Sequence, residues 1–344
     1  MRDLRFDRRS QRHTQRGAAL LTAMVIVTLV TTIAASMVWQ QWRSVQVESA
    51  ERALVQSQWI LRGALDYGRL FLREDSRNGG SDHLGEQWAV GLAESRISSF
   101  LAADRENTDD APEGFLSGQI VDASSRYNLY NLIDRQTGDI DPKQLLVFKR
   151  LCEFAALSPA LADTVAQGLR KAMLAIAYQD ADKLEKLGGE EGRRAAPLVP
   201  QTIDQLVWLG LDAGTVERLR PYVTLLPADT LTPINVNTAS REVIAAVLGT
   251  DVGRADRLVQ VRQRNPFKDI GAVKDAVGNI DLGEVALATT SNYFEIQGRL
   301  RLEDRVLAQR YLVERSSGNE ASVTVLFENQ VAGVELADPD AGGR

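Results

Sequence analysis

The chain has 344 residues, of which 44% are hydrophobic and 25% charged, a composition typical of folded domains and not of disordered or fibrous chains. Its formal net charge of −6 excludes a molecule-wide positive field for nucleic acid. With one cysteine and two histidines, it cannot form an internal disulfide and has few candidates for a zinc site or a histidine-based catalytic triad.

The N-terminal segment combines a basic leader with a long apolar run. Residues 1–17 contain six arginines and two aspartates, and no charged residue occurs from Gly17 to Trp42. This run exceeds the roughly 20 residues that a helix needs to cross a bilayer. Because arginines tend to stay in the cytoplasm, we expect a single-pass protein with a cytoplasmic N-terminus and its C-terminal bulk outside. A buried core helix is the alternative that the length and the charge contrast disfavour.

The candidate cleavage site lies before the apolar run, between Gly17 and Ala18. An ordinary secretory signal has a shorter apolar region, with its cleavage site after it. A basic leader, a glycine and a retained apolar helix resemble the prepilins, which a peptidase cuts after the glycine and then methylates. The resemblance implies cleavage and N-methylation at Gly17 and Ala18. Ala18 replaces the usual Phe, and Thr22 replaces the usual Glu at the fifth mature position.

Helical patterning continues beyond the apolar run, with apolar residues mostly three or four positions apart among polar ones. The pattern predicts one helix over about 18–72, roughly 80 Å long at 1.5 Å per residue. Its second half is amphipathic, and Leu54, Leu61 and Leu65 need burial once they lie outside lipid. We expect this leucine face to contact partner subunits.

The remaining elements change along the chain from polar loops to helices and then to strands. A helix is expected around 86–102, and a β-branched run predicts a strand over 118–123. From residue 141 to 287 the pattern is helical, with Cys152 as a buried apolar thiol on one helix face. A period of two after this block predicts three antiparallel strands with one solvated face.

Three strands and one distant strand are more stable in one sheet than apart. The expected fold is therefore α+β and pilin-like: a long N-terminal helix packed on an antiparallel sheet, with a large all-α insertion. The predicted segments are a leader (1–17), the transmembrane half of the helix (18–42), the first part of the pilin-like domain (43–140), the inserted helical domain (141–287), the C-terminal strands (288–330) and a tail (331–344).

The helical block contains two units that read as helix, glycine-containing hairpin and helix. The second resembles the helix-hairpin-helix of DNA-uptake and repair proteins, in which backbone N–H groups contact a phosphate. Here Asp251 stands where the phosphate would lie, and residues 235–282 hold seven basic against six acidic residues. Phosphate binding needs a larger positive excess, so a structural role is favoured and phosphate binding is the alternative.

Two further clusters have both a functional and a structural interpretation. Asp134, Asp139 and Asp141 carry oxygen ligands at a density that suits calcium, although short acidic loops are common without metal. The segment RYNLYN, residues 126–131, is a candidate partner contact, or a set of asparagines that close turns.

Several segments in order resemble one family: RGAALLTAM, IVDASSRYNLYNL, LRPYVTLLP, PINVNTAS and the closing strands. With Glu absent from the fifth mature position, they resemble the K-type minor pseudopilins of type II secretion systems, the general secretion pathway protein K family. The resemblance covers nearly the whole chain.

The resemblance implies a structural subunit of the pseudopilus tip, not an enzyme. Such a subunit initiates assembly at the inner membrane with the I-type and J-type minor pseudopilins and helps to export folded proteins across the outer membrane. Other expected partners are the prepilin peptidase, the inner-membrane assembly platform and the exported proteins, with the bulk of the chain in the periplasm. No cofactor is required, calcium is a candidate ligand, and no nucleic acid is expected.

Thr22 is the residue that indicates a position at the tip of the filament. In pilins, the carboxylate of the fifth mature residue pairs with the N-terminal amine of the subunit above, so a chain without it suits the first position only. The alternative is that Thr22 has no positional meaning, since a hydroxyl is tolerated in a membrane helix. A membrane-anchored DNA-uptake protein and a periplasmic enzyme remain as other function classes.

Overall fold

The computed structural model describes residues 14–97, 114–177, 179–277, 286–302, 305–316 and 321–331. Most of the expected leader and nearly all of the expected tail therefore lie outside the described residues. The chain divides into two compact units, residues 1–60 and 61–344.

The described part of the first unit, residues 14–60, is the beginning of helix α1, which runs from Thr14 to Asn78 and confirms the long helix expected from the sequence. Within the described residues, α1 is the one helix that is long and apolar enough to cross a membrane. Most of its apolar residues in this unit are exposed, with Leu20 at 67%. The Thr22 hydroxyl donates to the Ala18 and Ala19 carbonyls, 3.0 Å away in each case, so it adds no unsatisfied polar group.

The second unit is built around a five-stranded antiparallel sheet in the order β1-β2-β7-β8-β9. The strands of this sheet are β1 (Leu92–Arg96), β2 (Gly114–Asp122), β7 (Tyr293–Leu302), β8 (Arg305–Ser316) and β9 (Ser322–Val331). The three closing strands confirm the prediction. The sequence predicts a strand over 118–123. Strand β2 covers most of that range but begins four residues earlier, at Gly114, because it pairs with β7 from there onward.

The helix expected around 86–102 is wrong over residues 86–96, whereas Ile97 is helical and residues 98–102 lie outside the described residues. A short 3₁₀ turn, Gln87–Ala89, precedes β1. The Glu86 carboxylate accepts hydrogen bonds from the Trp88 indole at 2.7 Å and from the His83 backbone N–H at 2.9 Å, which closes the chain into a turn. Trp88 then packs edge-on against Phe294 of β7. This tertiary contact favours the turn over the helix that the apolar spacing predicts.

The last turns of α1 lie against one face of the sheet. Leu61, Leu65 and Leu72 are almost completely buried there. Two glycines allow the close approach: a Cβ at Gly68 would lie 2.9 Å from Ile296, and one at Gly298 would lie 2.8 Å from Leu61. Small residues on both surfaces therefore bring the helix down onto the strands.

The chain between β2 and β7, residues 123–292, forms the helical insertion. It begins earlier than the predicted residue 141, because Tyr127, Leu129 and Leu132 belong to the helical core. Its helices are α2 (Pro142–Phe154), α3 (Ala160–Ile176), α4 (Ala181–Leu187), α5 (Gly189–Ala195), α6 (Ala213–Leu219), α7 (Arg241–Leu248), α8 (Val252–Arg264) and α9 (Ile270–Val277).

The insertion is not purely helical. Strand β3 (Tyr127–Asn128) pairs in parallel with β4 (Val223–Thr224), and β5 (Ile234–Asn235) pairs with β6 (Leu287–Ala288). Cys152 is fully buried in its core, as predicted, and burial raises the pKa of its thiol to about 12. A thiol with that pKa is chemically inert at neutral pH.

Candidate functional site

A buried polar cluster connects the insertion to the sheet, and we call it the junction: Asp82, Asp122, Asn235, Ser291 and Arg315. Asp122 ends β2, where the chain leaves the sheet. Its Oδ2 accepts hydrogen bonds from the Asn235 amide at 2.9 Å, the Ser291 hydroxyl at 2.6 Å and the Thr238 hydroxyl at 2.5 Å. Burial raises the pKa of Asp122, and these donors oppose the rise.

Arg315 on β8 supplies the positive charge of the junction. Its Nη2 donates to both oxygens of Asp82, at 2.6 and 2.7 Å, and its Nη1 donates to Asp75 at 2.5 Å. The guanidinium also lies over the Phe294 ring, 4.6 Å from the centroid. Burial raises the pKa of both aspartates, whereas Arg315 opposes this rise. The junction thus fixes the end of α1, the sheet and both ends of the insertion together.

Within the described residues, one group of three carboxylates lies close enough to hold a cation. Oxygens of Asp75, Asp82 and Glu86 lie within 4.8 Å of one another. Arg315 already donates to two of these three side chains. The three carboxylates lie within twelve residues of one another, but the sequence analysis did not single them out. Their contact with Arg315 has no local signal, because Asp82 and Arg315 are 233 positions apart.

The asparagines of RYNLYN and PINVNTAS close turns, as predicted, and also bridge distant backbone. Asn128 accepts from the Tyr130 N–H at 3.2 Å, and Asn235 accepts from the Asn237 N–H at 2.9 Å. Asn128 donates to the Leu226 carbonyl and accepts from its N–H, each at 3.0 Å. Asn131 makes the same pair of bonds to Thr232, and Asn237 makes it to Phe267. Each amide therefore satisfies one backbone N–H and one backbone C=O of a distant segment, which an asparagine side chain can do because it carries both a donor and an acceptor.

The three aspartates proposed as calcium ligands are held by protein donors. Asp134 accepts from two backbone N–H groups of its own turn, and Asp141 caps α2 by accepting from Lys143 and Gln144. Asp139 forms ion pairs with Arg170 at 2.8 Å and Lys186 at 2.7 Å. The structure does not gather them into a group of three close carboxylates within the described residues, and calcium binding stays a prediction.

The second helix-glycine-helix segment is α7, Gly249 and α8. Gly249 adopts a left-handed conformation, with φ of 64°, and Arg150 of α2 lies against it while donating to the Ala246 carbonyl. Asp251 caps α8 by accepting from the Arg254 N–H at 3.0 Å. A carboxylate of the chain itself thus occupies the position that a phosphate would take, which favours the structural interpretation over DNA binding.

The predicted partner face needs a correction. Leu61 and Leu65 are buried against the chain's own sheet, so they are not available to another subunit. Leu54, in the first unit, is 43% exposed. Gly17 and Ala18 lie within the first turns of α1, and Thr22 lies one turn further on.

The fold and the junction define a class: a pilin-like subunit with one long apolar N-terminal helix, an antiparallel sheet and a helical insertion between adjacent strands. Family models described as "Type II secretion system (T2SS), protein K" match residues 125–228 and 234–291. The chain is 29% identical to type II secretion system protein K of Pseudomonas aeruginosa, over 96% of this chain and 97% of that protein. It is 25% identical to the protein of that name from Pectobacterium carotovorum, over 95% and 100%.

A solved structure shares the fold. The chain matches the GspK-GspI-GspJ complex of the enterotoxigenic Escherichia coli type 2 secretion system with a TM-score of 0.61 and 20% identity, covering 82% of this chain and 98% of that one. The chain belongs to the protein K family of type II secretion systems, the K-type minor pseudopilins.

Proposed function

We propose that this chain is the subunit at the tip of the type II secretion pseudopilus. There it initiates assembly with the I-type and J-type minor pseudopilins and helps to export folded proteins across the outer membrane. The proposal includes cleavage between Gly17 and Ala18, N-methylation of Ala18, contact with the assembly platform and a periplasmic C-terminal bulk. The complex that contains GspK, GspI and GspJ supports the choice of partners.

The observation that carries the proposal is the side chain of Thr22. Its hydroxyl hydrogen-bonds to the preceding turn of its own helix and offers no carboxylate to a subunit above. An unpaired N-terminal amine in lipid costs several kcal/mol, so a subunit without that carboxylate is disfavoured everywhere except at the first position. The amine of Ala18 stays available to the next subunit below.

The insertion supports the same position by its size. A block that occupies residues 123–292 is as large as many whole domains. The junction holds this block to the sheet through buried hydrogen bonds, which we expect to keep the insertion in a fixed position on the sheet. Its helix-hairpin-helix-like unit serves as a structural element in this proposal.

Processing and secretion test the proposal together. In a strain deleted for the gene, the wild-type chain should restore export of folded proteins and begin at methylated Ala18, as read by mass spectrometry. A Gly17→Glu chain should keep its leader and fail to restore export, because the peptidase cuts after that glycine. A conservative control is Thr28→Ser, which keeps a hydroxyl in the apolar helix. Full export by an uncleaved chain would contradict the proposal.

A further inference from the structure

The loop of residues 134–139 contains two of the three aspartates that the sequence suggests as calcium ligands. Two backbone hydrogen bonds close it, from the Asp134 N–H to the Asp139 carbonyl at 2.9 Å and from the Gly138 N–H to the Asp134 carbonyl at 2.8 Å. Gly138 has a φ of 72°, and a Cβ there would lie 2.6 Å from Leu174 of α3. The loop is therefore a tight turn that packs against α3.

Three oxygens of this loop are bound by cations of the chain itself. The Lys186 ammonium of α4 donates to Oδ2 of Asp139 and to the Thr137 carbonyl, at 2.7 Å in each case. Arg170 of α3 donates to Oδ1 of Asp139 at 2.8 Å. Hydrogen bonds from Lys186 and Arg170 hold the pKa of Asp139 below its usual range. Both carboxylate oxygens of Asp139 thus have a positively charged partner.

The residues of this loop do not fit calcium. Calcium takes about six to eight oxygen ligands from carboxylates, carbonyls and water. An ion at Asp139 would lie beside the positive charges of Lys186 and Arg170, and it would have to displace the ammonium from both of its acceptors. Oδ1 of Asp134 accepts from two backbone N–H groups, at 2.9 and 2.7 Å, and so stabilises the turn itself.

Helix α4 carries two lysines that contact the loop. Besides the bonds of Lys186, the Lys183 ammonium donates to the Arg135 carbonyl at 3.3 Å. Neither α4 nor the following α5 contains a buried residue, so apolar burial adds little to the attachment of these helices. The lysines that hold the loop therefore also hold α4 in place.

We propose that Lys186 takes the place of a calcium ion in the 134–139 loop, so that the loop keeps its conformation without metal. A bound ion stabilises a fold only at concentrations above its dissociation constant, whereas a side chain of the same chain is always present. This part of the insertion should thus keep its structure when the calcium concentration around it changes. The inference is independent of the proposed position in the filament.

Hydrogen exchange tests the proposal without any substitution. The full-length chain in detergent is compared in excess EDTA and in excess calcium chloride, and exchange is read by mass spectrometry on fragments that span residues 134–139. We expect the Asp134 and Gly138 amides, which donate within the loop, to exchange equally slowly in both conditions. Slower exchange of these amides in calcium would overturn the proposal.

Substitution of Lys186 tests the role of its charge. Lys186→Gln should speed exchange of the same two amides roughly three- to tenfold, because it removes a charge-assisted contact that is only partly buried. Lys186→Arg keeps the positive charge and should retain wild-type exchange. Lys171→Gln, which removes an exposed lysine of α3, is the matched control and should change nothing in the loop. Unchanged exchange in Lys186→Gln would also overturn the proposal.

Discussion

Glu295 connects the insertion to the sheet through a buried ion pair. Its carboxylate lies 2.6 Å from Arg126, at the start of the insertion, and 3.8 Å from Arg310 on β8. Burial raises the pKa of Glu295, but the two arginines outweigh it and hold the pKa below its usual value. The ion pair therefore contributes stability only while Glu295 is ionised.

The pH dependence of this ion pair has a definite sign. Since the folded pKa is depressed, the stabilisation is present above the unfolded pKa of about 4.3 and is lost as pH falls through the folded value. Glu295→Gln should lower the free energy of unfolding at pH 7 by about 3 kcal/mol, because it leaves Arg126 buried without a counter-charge. Denaturant unfolding of the detergent-solubilised chain between pH 7 and 3 measures both effects.

The control is Asp163→Asn, which removes an exposed ion pair with Lys149. Such pairs contribute about 0–1 kcal/mol, so stability should change little. An unchanged pH profile in Glu295→Gln would contradict the assigned role of the ion pair.

Sequence alternation alone places Glu295 on a solvated strand face, and here the structure differs. Its partner Arg126 lies 169 positions away, so no local pattern indicates the pair. The same reason hides the contact between Asp82 and Arg315. In contrast, the motifs around Asn128 and Asn237 are visible in the sequence, although their roles as backbone bridges depend on distant segments.

At the scale of elements, periodicity predicts α1 and the closing strands but not what covers the leucines of α1. A leucine face fits the chain's own sheet as well as a partner helix. The glycines decide between them in the structure, since Gly68 and Gly298 bring α1 against β7. Strand β1 escapes prediction because most of its residues are exposed and it is defined by pairing with β2 alone.

The packing of α1 on the sheet gives a stability prediction. Leu65→Ala should lower the free energy of unfolding of the solubilised chain by about 2–5 kcal/mol, because it leaves a cavity at a residue that is 1% exposed. Leu70→Ala, at a residue of α1 that is 47% exposed, is the matched control and should cost less than about 1 kcal/mol. Equal losses in denaturant unfolding would mean that the two faces of α1 have been assigned incorrectly.

At the scale of the whole molecule, the sequence predicts a helical insertion in a pilin-like domain but places its start at residue 141. The structure places that start at residue 123, because Asn128 and Asn131 tie the intervening segment to Leu226 and Thr232. A segment that is held by side-chain amides need not show the apolar spacing of a helix or a strand. The sequence pattern therefore does not indicate that this segment belongs to the insertion.

The proposed position of the chain is the tip of the filament. Gly188 and Gly189 lie where α4 ends and α5 begins, both with positive φ, and a Cβ at either would meet no described atom within 4 Å, so an epitope tag fits between them. Gold labelling of that tag on filaments sheared from cells that overproduce the major pseudopilin measures the position directly. We expect label at one end of each filament, and label spaced along the shaft would contradict the assignment to the tip.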